Sequence, residues 1–145
     1  MIKSKKEVLE NANIPSKVKD LFNNEAPVTA WTVPTVLRNL PLNGKQSVTF
    51  IGYEVRRKNA FKDHDLPEVM EDLTSQTLID NIEAYYPANV FEAGGATFRA
   101  FPENMPEDPS SELTFMKIQE GKEKDENGVA IPRGASERYD AFAVV

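Results

Sequence analysis

Residues 47–57 read SVTFIGYEVRR and form the clearest strand pattern in the chain. Val48 and Phe50 alternate with Thr49 and Ile51, so an extended segment would begin with two largely apolar faces. Apolar, β-branched and aromatic residues in this pattern favour a β-strand. Because a strand with two apolar faces is best placed inside a sheet, this segment is predicted to be the central strand.

The sequence before this strand favours short helices. Ser4 and Glu7 have the spacing of a capping box, in which each side chain bonds a free backbone amide at a helix start. A second helix is predicted from Ser16 and a third near Pro34, since proline suits the first turn. Residues 41–44 predict a turn. The residues expected to face inward on the second helix are Val18, Leu21 and Phe22.

A pair of helices is predicted in the middle of the chain. The first would begin at Asp65, with Pro67 in its first turn, and the second at Ser75. The expected inward positions are Val69, Met70 and Leu73 in the first helix, and Leu78, Ile79, Ile82 and Tyr85 or Tyr86 in the second. Pro87 would end the second helix.

The remainder of the chain favours strands. Residues 90–101 predict a strand interrupted at Gly94 by a bulge or tight bend, and residues 113–120 and 138–145 predict two more. An Asn-Gly turn is predicted at Gly128. The expected fold class is α+β, with short N-terminal helices and a central helical pair packed on a mainly antiparallel sheet.

Composition limits the class of protein. At 145 residues the chain is predicted to be a single domain spanning 1–145. It lacks cysteine, which excludes a disulfide framework, thiol catalysis and cysteine-based metal sites. No apolar stretch resembles a signal peptide or a membrane span. We expect no membrane contact and a cytoplasmic, intracellular location, in free form or within an assembled particle.

The net charge of −6 is divided unevenly along the chain. Residues 1–63 carry a formal charge of +5 and residues 64–145 carry −11. Such a division indicates either nucleic-acid contact or complementary protein faces. It is equally typical of two solvated surfaces that differ in sign.

Catalytic motifs are weak. His64 lies between two aspartates, and with Glu68 it has the residue types of a general base or a metal ligand, but a solvated loop histidine explains it better. Paired carboxylates are plentiful, yet adjacency in sequence does not bring them together in a cleft. No phosphate-binding glycine loop is present. We therefore predict no enzymatic activity, no cofactor and no metal site.

The strongest binding motif lies at the end of the central strand. Aromatic and basic residues alternate there, as in proteins that stack bases and contact phosphates of single-stranded nucleic acids. The predicted nucleic-acid-binding residues are Tyr53, Arg56, Arg57, Lys58, Phe61 and Lys62. Phe98, Arg99 and Phe101 would extend this surface. The alternative is that Tyr53 and Phe61 belong to the core.

Two functions follow from these patterns. The first is a non-enzymatic interaction or assembly protein, such as a small structural subunit of a virion or other particle. Its partner would be another protein or a second copy, bound through faces of opposite charge. The alternative is a single-stranded nucleic-acid-binding protein that uses the basic aromatic strand.

Overall fold

The computed structural model describes residues 4–23, 30–31, 33–106, 108 and 111–145. Its helices are α1 (Lys5–Glu10), α2 (Ser16–Asn23), α3 (Thr35–Arg38) and α4 (Gln76–Asp80). Its strands are β1 (Ala30–Trp31), β2 (Lys45–Arg57), β3 (Val69–Met70), β4 (Tyr85–Ala93), β5 (Ala96–Ala100), β6 (Glu112–Gln119) and β7 (Ala141–Val144). Single 3-10 turns span Asn59–Phe61, Ile82–Ala84 and Ser136–Arg138. The fold is mixed α+β and mostly sheet.

Strand β2 is the centre of the sheet, as the sequence predicts. The strand order is β1-β5-β4-β2-β6-β7, and every one of these neighbours is antiparallel. One edge of β2 pairs with β4 along residues 49–57. The other edge pairs with β6 along residues 45–49 and with β3 at residues 55–56. On this second edge, the first residues of β2 therefore pair with β6 and the last residues pair with β3.

A β-bulge in β2 decides which side chains share a face. Phe50 pairs with Phe91 and Gly52 with Val90, so Ile51 is an extra residue without a direct partner. Gly52 has a φ of 138°, which a residue with a Cβ rarely adopts. Beyond the bulge the alternation is shifted by one residue, and the odd-numbered positions of β2 face the core.

The sheet is curled until its ends approach each other. Phe98 in β5 and Phe115 in β6 are three strand spacings apart, about 14 Å in a flat sheet. Their ring centroids are only 6.2 Å apart. A parallel bridge between Glu103, just after β5, and Ala143 of β7 joins the two ends. Strands β2, β4, β5, β6 and β7 therefore form a partly closed barrel.

Phenylalanine side chains fill this barrel. Phe115 lies 4.8 Å from Phe91 and 5.7 Å from Phe142 between ring centroids, and Phe50 lies 5.3 Å from Phe91. Such contacts between offset or edge-on rings add to the gain from burial. The phenylalanines with at most 1% of their surface exposed are Phe50, Phe91, Phe98, Phe115 and Phe142.

The N-terminal helices pack on the same core, where β2 and β4 extend beyond the barrel. Ser4 accepts a hydrogen bond from the Glu7 amide, which confirms the predicted cap of α1. The predicted inward residues of α2 are buried, and the Phe22 ring lies edge-on to Tyr53 at 5.8 Å. Leu37 of α3 is buried, whereas Val36 is 41% exposed.

The prediction of a central helical pair is not confirmed. Val69 and Met70 form β3, where the first helix was expected. Because β6 pairs with residues 45–49 only, the later edge of β2 is open and β3 occupies it. The second helix is reduced to α4 and a 3-10 turn, and Tyr85 already begins β4. Pairing with distant strands has replaced a weak local helical preference.

The predicted C-terminal strands and turns are confirmed. Gly94 forms the tight turn of the β4–β5 hairpin with a φ of 59°. Gly128 forms the second predicted turn, where Asp125 accepts hydrogen bonds from the amides of Asn127 and Val129. Within the described ranges, no helix is long and apolar enough to cross a bilayer.

One lysine lies inside this core. Lys117 of β6 has 2% of its side chain exposed. Its ammonium group donates hydrogen bonds of 2.8 Å to the carbonyls of Arg38 and Leu40 at the end of α3. The Asp140 carboxylate lies 3.5 Å from the same nitrogen. A charge at this depth is retained because carbonyl and carboxylate oxygens surround it.

Candidate nucleic-acid interface

The predicted binding residues are divided between two faces of β2. Tyr53 points into the core with 8% of its surface exposed, and its ring lies edge-on to Phe50 at 5.5 Å. Arg57 has the same parity along the strand, and its guanidinium donates to the Leu66 carbonyl. Arg56 lies on the opposite, outer face. The alternation of a strand therefore separates residues that are adjacent in the sequence.

The rest of the predicted patch lies beyond β2. Lys58 and Lys62 are exposed, and Phe61 is half-buried at the edge of the core. The Phe61 ring also lies 5.0 Å from the ring of His64, which is itself exposed. Lys58 directly follows the end of β2, whereas Lys62 follows the 3-10 turn of Asn59–Phe61. Of the predicted residues, Tyr53 and Arg57 thus lie on the inner face of β2 and Arg56 lies on the outer face.

The outer face brings together a different set of charged residues. Arg56 of β2 and Arg99 of β5 both contact the same oxygen, Oε2 of Glu54. The Arg56 Nη1 lies 3.2 Å from this oxygen, and the Arg99 Nε and Nη2 lie 3.0 and 2.9 Å from it. The Glu54 side chain is only 11% exposed. A buried carboxylate thus holds two guanidinium groups in fixed positions.

Tyr86 lies beside Arg56 on the neighbouring strand β4. It pairs directly with Arg56 across the sheet, and its ring centroid is 6.0 Å from that of Phe101. Tyr86 is half-buried, whereas Phe101 is 2% exposed. Burial raises the pKa of Tyr86 above its ordinary 10.0, and the charges of Arg56 and Arg99 act in the opposite direction. At neutral pH the phenol is therefore uncharged.

Glu68 is a second carboxylate that contacts Arg56. Its Oε1 lies 2.7 Å from Nη2 of Arg56, and its side chain is 68% exposed. Arg56 therefore contacts two carboxylates, one buried and one exposed. Two arginines and two glutamates leave the group with no formal net charge, and the Arg56 and Arg99 side chains are 22% and 31% exposed. We use the name outer-face cluster for Glu54, Arg56, Glu68, Tyr86 and Arg99.

Sequence reasoning found part of the outer-face cluster. It named Arg56 and proposed Arg99 and Phe101 as an extension, but it also included Phe98, which is buried in the barrel. It missed Glu54 and assigned Tyr86 to a helix. The signal that could have found them was Gly52, because a glycine within a strand marks a bulge that shifts the alternation.

The basic residues 1–63 and the acidic residues 64–145 do not form separate parts of the sheet. β2 comes from the basic part of the chain and lies between β4 and β6 from the acidic part. The ion pair between Arg56 and Glu68 also joins the two parts. Within the described part of the chain, no three acidic or histidine side chains are close enough to hold a metal ion.

Comparison with known proteins gives no relative: no family model, no curated protein and no solved structure matches the chain. A function for the outer-face cluster has to be inferred from its own chemistry.

Proposed function

We propose that this protein binds single-stranded nucleic acid across the outer face of β2, β4 and β5. The observation that carries the proposal is the convergence of Arg56 and Arg99 on Glu54 at the outer face, with the partly exposed Tyr86 paired with Arg56 beside them. Aromatic rings stack on bases and guanidinium groups pair with phosphates, and single-strand binders combine both.

The architecture supports this choice of face. A partly open barrel of five strands is the arrangement of the OB-fold, in which the face of the second and third strands binds oligonucleotides. The second and third barrel strands here are β4 and β5, which carry Tyr86 and Arg99. Since one fold serves many functions, the argument depends on these side chains more than on the barrel.

The fixed geometry of the arginines is a second support. Glu54 aligns both guanidinium groups, so little side-chain freedom remains to be lost when a phosphate binds. The ring of Tyr86 is flat and only partly buried, and its exposed part suits stacking of any base. These features favour binding with little sequence preference.

The net charge of −6 sets a limit on affinity. A polyanion is repelled by the whole molecule and attracted only locally. We therefore expect binding that is measurable at low salt and falls steeply as salt rises.

The test is fluorescence anisotropy with labelled oligothymidylate and oligouridylate of about 15 nucleotides, near the upper site size of one such barrel. The variant is Arg56→Gln with Arg99→Gln, because glutamine can still donate to Glu54. We expect about tenfold or greater loss of affinity, from two lost charge-assisted contacts. The salt dependence, as the slope of log K against log salt, should also fall by about 1.4.

Arg133→Gln is the matched control, since Arg133 is exposed in the β6–β7 connection and its loss gives the same change of charge per site. Thermal melting of each variant verifies folding. Equal loss of affinity in the control would assign binding to overall charge. An absence of binding by the wild-type protein at low salt would refute the proposal.

A role as an assembly subunit is a second proposal, and apolar surface at the β6–β7 end of the sheet favours it. Ile118 is 36% exposed and Val145 is 58% exposed. A contiguous apolar patch is typical of protein contacts, and here Ile118 lies four positions along β6 from Thr114, whose carbonyl accepts from the Val145 amide. Light scattering across a salt series tests this, and a monomer at high concentration in every salt would count against self-association.

A further inference from the structure

We propose that the carboxylate of Glu68 occupies a phosphate-binding position on Arg56, from which a phosphate of the nucleic-acid backbone displaces it. This inference rests on the proposed function and adds a defined subsite to it. It also assigns to Glu68 the role of an internal competitor.

The two carboxylates on Arg56 differ in the way such a subsite requires. Glu54 contacts Nη1, is 11% exposed and is shared with Arg99, so its displacement would leave a buried charge unpaired. Glu68 contacts Nη2 and is 68% exposed, so water can replace its contact at little cost. One donor of Arg56 is thus committed to the fold and the other is exchangeable.

Replacement of the Glu68 carboxylate by a phosphate keeps the type of contact that Arg56 makes. Carboxylate and phosphate oxygens are both anionic acceptors, and either can accept a hydrogen bond from one guanidinium nitrogen. The 2.7 Å contact of Glu68 indicates that an anionic oxygen fits at Nη2. A phosphate oxygen can take this position without any movement of Glu54.

The backbone keeps Glu68 close to this position. The amide of Arg57 donates a 2.8 Å hydrogen bond to the Glu68 carbonyl, and Arg56 pairs with Val69 in the next position. The competing carboxylate is therefore tethered beside Arg56 at a high effective concentration. Ligands with a single weak anionic group would be excluded, whereas a nucleic-acid strand with several phosphates compensates for the competition.

The decisive variant is Glu68→Gln, measured by the same anisotropy assay with oligothymidylate and oligouridylate. Removal of an exposed ion-pair competitor predicts about two- to five-fold tighter binding of both oligonucleotides. Glu71→Gln is the matched control, because Glu71 is an exposed glutamate three residues away and has no ion pair with a described residue. The control is expected to change affinity much less than Glu68→Gln.

The same pair of substitutions in an Arg56→Gln background identifies the mechanism. If Glu68 acts through Arg56, the gain from Glu68→Gln beyond that from Glu71→Gln disappears in this background. A gain that persists there, or an equal gain in the Glu71 control, would show general repulsion and overturn the inference. Binding by the wild type with no gain in Glu68→Gln would overturn the inference alone, whereas no binding by any form would remove it together with the proposed function.

Discussion

Replacement of the buried Lys117 by methionine is the sharpest test of the core. Methionine has a similar length and fills the same space, but it cannot donate to the carbonyls of Arg38 and Leu40. It also leaves the Asp140 carboxylate, which is 19% exposed, without its cation. The Gly121 amide still donates to Asp140 at 2.8 Å, so this carboxylate retains one partner.

The size of the effect follows from these lost contacts. Each acceptor left unsatisfied costs about 1–3 kcal/mol, and removal of one partner from a buried ion pair costs about 3–5 kcal/mol. Because the contributions overlap, we expect Lys117→Met to lower the free energy of unfolding by about 3–5 kcal/mol. That is a large part of the roughly 5–15 kcal/mol typical of a folded domain.

Urea denaturation followed by circular dichroism measures this change. The midpoint should fall while the slope with denaturant stays constant, since the surface exposed on unfolding is unchanged. Lys122→Met is the control, because Lys122 is exposed, and it should change stability by less than about 0.5 kcal/mol. A loss below about 1 kcal/mol in Lys117→Met would refute the reasoning. It would mean that burial of the ammonium group costs as much as its contacts contribute.

Two further predictions concern the bulge and the tyrosines. Gly52→Ala places a residue with a Cβ at a φ near 138°. The free energy of unfolding measured in urea should therefore fall by about 1–3 kcal/mol. An unchanged urea midpoint would show that the bulge does not need glycine. Burial raises the pKa of Tyr85 and Tyr86 above 10.0, so the unfolded chain loses these phenolic protons first and stability should fall as pH rises above about 10. Urea midpoints at about pH 9 and about pH 11 measure this loss of stability. The loss should be smaller in the double variant Tyr85→Phe with Tyr86→Phe. An equal loss in the double variant would assign it to other groups.

Much of the sheet could be predicted because its signals are local. The apolar alternation at Val48 and Phe50 identified the central strand, and Gly94 and Gly128 marked the turns that the structure contains. Ser4 capped α1 as its spacing predicts. In each case the residues that decide the conformation lie within a few positions of one another.

The central helical pair could not be excluded by such signals. The apolar residues at Val69 and Met70 suit one turn of helix or a short strand equally well. The open edge of β2 decided in favour of a strand, and that edge is defined by where β6 ends. No pattern within residues 65–73 contains this information.

The central strand, the short N-terminal helices and the turns follow from local sequence, because hydrophobic period, capping and turn chemistry act between near neighbours. Tertiary structure alone decided which charged residues meet. Because of the bulge after Phe50, Arg56 lies on the outer face and Arg57 on the inner face. Strand pairing then places Arg99 next to Glu54. The outer-face cluster depends on register between strands distant in sequence, and a one-residue shift in register exchanges the two faces of a strand.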